Sequence, residues 1–78
     1  MLWQVVASAR DHRAVLGATI REHRVRTGLT IERLAEKADL HPNFLGRVER
    51  GEEYISVSAL FRIAKALGIR VAELFARF

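Results

Sequence analysis

The sequence predicts an all-α domain of five compactly packed helices. Three observations carry that reading. No run alternates apolar and polar residues for long enough to make a strand, whereas apolar residues recur at helical spacings of three and four. Gly28, Gly51 and Gly68 fall where such periodic segments end, as helix-stopping glycines do. The single proline, Pro42, stands at the front of a periodic segment, where a missing N–H does no harm.

The first helix ends near Thr27, with Ser8 or Asp11 as its N-cap and with Leu16 and Ile20 on one face. The second follows Thr30, a natural N-cap, and runs through Ile31, Leu34, Ala35 and Ala38. The third starts at Pro42 and reads "PNFLGRVERG". Its Gly46 is unexpected, because a glycine inside a helix costs about 1 kcal/mol relative to alanine. The fourth follows Ser56 and carries Leu60, Ile63, Ala64 and Leu67, and the fifth runs from about Val71 to the last residue with Leu74, Phe75 and Phe78. Residues 1–10 read as an N-terminal extension and 11–78 as the domain. "MLWQVVA" suits a short strand, an extension of the first helix or a loose end, and the large apolar Trp3 is expected to pack on something.

Composition narrows the function. A chain of 78 residues makes one small domain. Half of it is apolar, enough for a core, although a domain this short buries only about 60% of its unfolded surface. With no cysteine, disulfides and cysteine-ligated zinc are excluded. Thirteen basic against nine acidic residues give a net charge of +4, compatible with nucleic acid, an acidic protein surface or plain solubility. The opening "MLWQVVASAR" lacks the leading basic residues of a signal peptide, and no stretch approaches the roughly 20 apolar residues of a membrane span. The expected location is the cytoplasm.

Catalytic and metal chemistry find little support. His12 and His23 would stand about 16 Å apart along one helix, too far to share an ion, and His41 lies on another element. Ser8, Ser56 and Ser58 read as caps or surface residues. Glu32 and Glu36 alternate with Arg33 and Lys37 as on a solvated face. The reading is therefore no enzyme, no cofactor and no metal.

The segment from Ile31 to Arg50 holds two helices separated by about three residues. Leu34, Ala38, Leu40, Leu45 and Val48 face inward together, the small Ala35 allows a close crossing, and Asp39 stands where the chain must turn sharply. Asn43, Gly46, Arg47 and Arg50 share the other side of the third helix. This pattern, extending through "IREHRVRTGLTIERLAEKADLHPNFLGRVERG" and "SVSALFRIAKALGIRVAELF", resembles the phage-repressor and Cro-type helix-turn-helix regulators, over about residues 16 to 75. Two positions depart from the family pattern: Asp39 stands for the usual turn glycine, and Ile31 for a glutamine that often contacts DNA.

The resemblance implies a sequence-specific regulator of transcription that binds a double-stranded operator, with the third helix, about residues 42–50, in the major groove. On that helix Asn43 suits adenine, Arg47 suits guanine, and Gly46 lets the backbone come close. Arg50, Thr30, Arg33 and Tyr54 are candidate phosphate contacts, whereas Glu52 and Glu53 would repel a phosphate backbone. The resemblance further implies an ion pair between Arg24 and Glu49, and a homodimer. Phe75 and Phe78 cannot both be buried in so small a monomer and are the candidate dimerisation residues. The small size also resembles restriction–modification controllers and antitoxin-type regulators. The alternative is a protein-interaction module that keeps the fold without the DNA contact, favoured by Ile31, Glu52 and Glu53.

Overall fold

A computed structural model describes residues 9–78, with side chains from Asp11 onward. The expectations for "MLWQVVA", Trp3 and a Ser8 cap lie outside these residues. Among the described residues there are five helices: α1 (Ala9–Thr27), α2 (Ile31–Ala38), α3 (Pro42–Glu49), α4 (Val57–Leu67) and α5 (Val71–Leu74). Asp11 lies within the first turn of α1 instead of capping it. The last helix is shorter than its apolar residues suggest. From Leu74 onward the chain closes with tight bonds, Phe75 N–H to Ala72 O at 3.1 Å and Phe78 N–H to Phe75 O at 3.0 Å. A helix this short leaves most of its end groups without intrahelical partners, so little drives it further.

The helix starts follow side-chain capping. Thr30 Oγ1 accepts from Arg33 N–H and Ser56 Oγ from Ala59 N–H, each at 3.0 Å. The ends share one turn. Gly28, Asp39, Gly51 and Gly68 take left-handed backbone conformations after α1 to α4. In each case two backbone bonds close the last turn, such as Asp39 N–H to Glu36 O at 3.2 Å and Leu40 N–H to Ala35 O at 2.9 Å. Asp39, with φ of 57°, is the non-glycine residue in this set.

Ile20, Leu34, Ala35, Leu45, Val48, Ile63 and Leu74 form the centre of the core, joined by Leu60, Ala64 and Leu67 of α4. Ala35 and Ala38 are fully buried, which is how α2 comes close to its neighbours. Leu16, Leu40 and Phe44 pack at the margin of the core.

Two glycines lie inside helices, and the fold treats them differently. A methyl group on Gly17 of α1 would strike the carbonyl oxygens of Val48 and Glu49, the latter at 2.8 Å. Backbone meets backbone here, so α1 can cross the end of α3 only if residue 17 has no side chain. A methyl group on Gly46 of α3 would meet only the outer guanidinium nitrogen of Arg50, at 3.3 Å, and that flexible side chain can move. In the sequence Gly17 is as visible within a helical segment as Gly46, and only the packing tells the two apart.

One ion pair holds the same crossing. Arg24 Nε donates to Glu49 Oε2 at 2.7 Å and Nη2 to Oε1 at 3.0 Å, a fork on both carboxylate oxygens. Arg24 Nη1 also donates to Leu29 O at 2.9 Å, tying the pair to the turn after α1. The two side chains are only 12% and 4% exposed, which separates this pair from an ordinary surface salt bridge.

Arg24→Ala is expected to destabilise the domain by about 3–5 kcal/mol, because Glu49 is left charged and buried without its partner; urea unfolding measures it. Gly17→Ala is expected to lower stability by about 1–3 kcal/mol despite the better helix propensity of alanine. Gly46→Ala, melted alongside, is expected to be neutral or to gain up to about 1 kcal/mol.

Candidate nucleic-acid interface

Helix α3 starts on a cap that the sequence analysis did not anticipate. His41 Nδ1 accepts from Asn43 N–H at 3.0 Å, and Pro42 takes the first helical position. Histidine is not among the usual capping residues, so its place directly before a helix-starting proline was the available signal. With its backbone amide bonded to the cap, Asn43 leaves its side-chain amide exposed and without a hydrogen bond among the described residues.

A shallow groove runs along this part of the molecule, lined by Ile31, Glu32, Pro42, Asn43, Gly46, Arg47 and Arg50. Asn43, Gly46 and Arg47 therefore meet on one surface. Gly46 is itself buried and forms the floor of the groove, overhung by the Arg50 side chain. Leu45, Val48 and Glu49 turn inward from the same helix. The N-terminus of α2 joins the groove through Ile31 and Glu32, with the exposed Thr30 just before them. The Thr30 hydroxyl oxygen already accepts from Arg33 N–H, and its own proton remains available to donate.

Each arginine expected to meet DNA already has a carboxylate partner. Arg33 pairs with Glu36 along α2. Arg47 Nε donates to Glu53 Oε2 at 3.3 Å, with both side chains about two-fifths exposed (43% and 41%). Arg50 donates to Glu52 through Nε at 2.9 Å and Nη2 at 3.4 Å. The Glu52 bond and charge raise the Arg50 guanidinium above its already high value.

Tyr54 lies in a different place from the groove. Gly51 packs on the backbone of Ala14, so the loop leaves α3 along α1. The Tyr54 ring accordingly lies under the Arg13 guanidinium, 4.6 Å from its centre, and lines a second concavity with His12, Leu16, Phe75 and Phe78. Phe75 and Phe78 contact each other at 5.7 Å between ring centres, and Phe78 meets the His12 ring at 5.9 Å. These aromatic rings stay substantially open to solvent, with Tyr54 at 63%, Phe75 at 42% and Phe78 at 52% exposure. Val57 and Phe61 of α4 are also exposed. No helix of the described residues is long and apolar enough to cross a membrane.

Comparison with known proteins returns one consistent answer. A helix-turn-helix family model matches residues 20–74. The control protein C.SmaI of Serratia marcescens is 37% identical over 67 residues, covering 86% of this chain and 80% of the relative. The crystal structure of the restriction-modification controller protein C.AhdI from Aeromonas hydrophila superposes with a TM-score of 0.82 at 35% identity, covering 83% of this chain and 98% of that one. The clp gene regulator ClgR of Corynebacterium glutamicum superposes with a TM-score of 0.79 at 36% identity, covering 81% of this chain and 67% of the regulator.

Proposed function

The chain belongs to the helix-turn-helix family of transcriptional regulators, and on that premise we propose that it regulates transcription by binding a double-stranded DNA operator through α3. The observation that carries this reading is the groove floored by Gly46. Only the movable Arg50 side chain, and no backbone, lies over that position, so with Arg50 swung aside the missing side chain serves close approach by something outside the molecule. A duplex laid on this surface brings its base edges against Asn43 and Arg47. Asn43 offers adenine a donor and an acceptor, and Arg47 offers guanine two donors.

Arg50, Arg33, Thr30 and the free N–H groups at the start of α2 serve the flanking phosphates. Arg24 and Glu49 take no part in contact. They set the angle at which α3 is presented, as does the Gly17 crossing. No bond is made or broken in this action; the protein acts in the cytoplasm by occupying a site.

One α3 spans only a few base pairs, and two of them spaced one DNA turn apart, about 34 Å, read a far rarer sequence. Self-association through Phe75 and Phe78, with Tyr54 beside them, supplies the second copy and covers the aromatic surface at the end of the chain. The similarity to C.SmaI and C.AhdI supports a regulator of the restriction–modification controller kind. Arginines already paired with Glu52 and Glu53 are what would favour a protein-interaction module instead.

A gel shift on random duplex at two salt concentrations separates the two, since DNA binding loses affinity steeply with salt and an interaction module shows no such response. On a duplex selected from a random pool, Arg47→Ala is expected to weaken binding by about 1–3 kcal/mol with the melting temperature nearly unchanged. Loss of the fold in that variant would make Arg47 structural. The double substitution Phe75→Ser with Phe78→Ser is expected to shift sedimentation from dimer to monomer.

A further inference from the structure

Four of the described helices end in the same left-handed turn, and three of these turns place an apolar residue immediately afterwards. Leu29, Leu40 and Ile69 pack against the core from that position. The turn after α3 places Glu52 there instead, exposed, with Glu53 next. The closing bond, Glu52 N–H to Arg47 O at 2.9 Å, brings the chain back over the last turn of α3. Both carboxylates then reach the arginines of the groove, Glu52 to Arg50 and Glu53 to Arg47. The hydrogen bond from Arg50, aided by its charge and that of Arg47, holds the Glu52 carboxyl below its ordinary range.

We propose that Glu53 and Glu52 are specificity-determining residues: Glu53 occupies Arg47 until a matching base edge displaces it, and Glu52 occupies Arg50 until α3, seated on that base, presents Arg50 to a phosphate, so that binding to arbitrary duplex is suppressed. The inference rests on the DNA-binding reading above. A backbone phosphate offers an arginine the same kind of charge-assisted bond that the glutamate already supplies. The glutamate is tethered a few residues away and is present at high effective concentration, so on arbitrary DNA the arginine has little reason to exchange. A guanine edge offers Arg47 two directed bonds, and the Glu53 contact, at 3.3 Å and two-fifths exposed, is loose enough to give way. The carboxylates thus withhold both arginines from the sequence-independent mode, and in the specific one yield Arg47 to a base and Arg50 to a phosphate.

The test compares the full chain with an E52Q/E53Q variant by fluorescence anisotropy. The probes are a labelled random-sequence duplex and a duplex selected from a random pool, measured between about 50 and 200 mM salt. The variant is expected to bind random duplex about tenfold or more tightly, with a salt slope steeper by about 1–2 units as two arginines become free to displace counterions. The selected duplex gains less, so the ratio of specific to non-specific affinity falls. An E22Q/E73Q variant changes the net charge equally, at carboxylates bonded to Arg77 and to the Arg70 backbone, and is expected to leave that ratio alone.

Equal gains on both duplexes, an equal effect in the control variant, or weaker binding of the selected duplex by E52Q/E53Q would each overturn the proposal. If neither wild type nor variant binds either duplex, the DNA-binding reading itself falls and takes this inference with it.

Discussion

The crossing of α1 over the end of α3 is the constraint on which the rest of the molecule depends. Helix α3 is only eight residues long, too short to hold itself in water, and its outer face must stay uncovered if it is to meet a partner. Its position is therefore set from behind. Gly17 lets the α1 backbone touch the carbonyl oxygens of Val48 and Glu49, and Gly51 rests on Ala14 one turn earlier. The Arg24 fork then neutralises the one carboxylate that this contact buries. A carboxylate buried this far is tolerated only when its charge and lone pairs are met, so the pair and the close crossing depend on each other.

From that anchor the two faces of α3 acquire opposite characters. Leu45 and Val48 complete the core, while Asn43, Arg47 and Arg50 surround a floor without a side chain. The cationic side of the groove is also restrained. Each of its arginines is held by a nearby carboxylate, so this surface carries less free positive charge than a count of arginines implies. The net charge of +4 acts at long range, whereas the groove itself is locally balanced by the Arg47–Glu53 and Arg50–Glu52 pairs. Tyr54, close to these arginines in sequence, belongs with the aromatic residues at the chain end, because the loop follows α1 once it leaves α3.

The helices were legible because their signals are local. Thr30 and Ser56 cap with their own side chains, Pro42 sits where a proline is allowed, and the turn residues Gly28, Asp39, Gly51 and Gly68 adopt the backbone that short-range sterics reserve for such types. The apolar spacing of Leu34, Ala35, Ala38, Leu60, Ile63 and Ala64 marked the core faces before any contact was known. Local signals fail where the outcome depends on what lies beyond one turn. Leu74, Phe75 and Phe78 suggest a longer last helix, yet past Leu74 the backbone closes in three-residue turns instead of continuing the helix. His41 was passed over because a cap depends on where a side-chain acceptor ends up rather than on residue type alone.

The sequence by itself determined the helices of the described residues, the Thr30 and Ser56 caps, the inward residues and the set of side chains on the outer face of α3, because each follows from spacing within one helix or one turn. Only the tertiary structure decided that Gly17 is indispensable to packing while Gly46 is not, that Arg24 grips both oxygens of Glu49, and that Glu52 and Glu53 fold back onto Arg50 and Arg47. These facts concern distances between backbones and charges brought together by the crossing of α1 and α3 and by the turn after α3. Residue spacing along a chain carries no record of how closely two helices approach, because that separation is set by which side chains are absent at the contact.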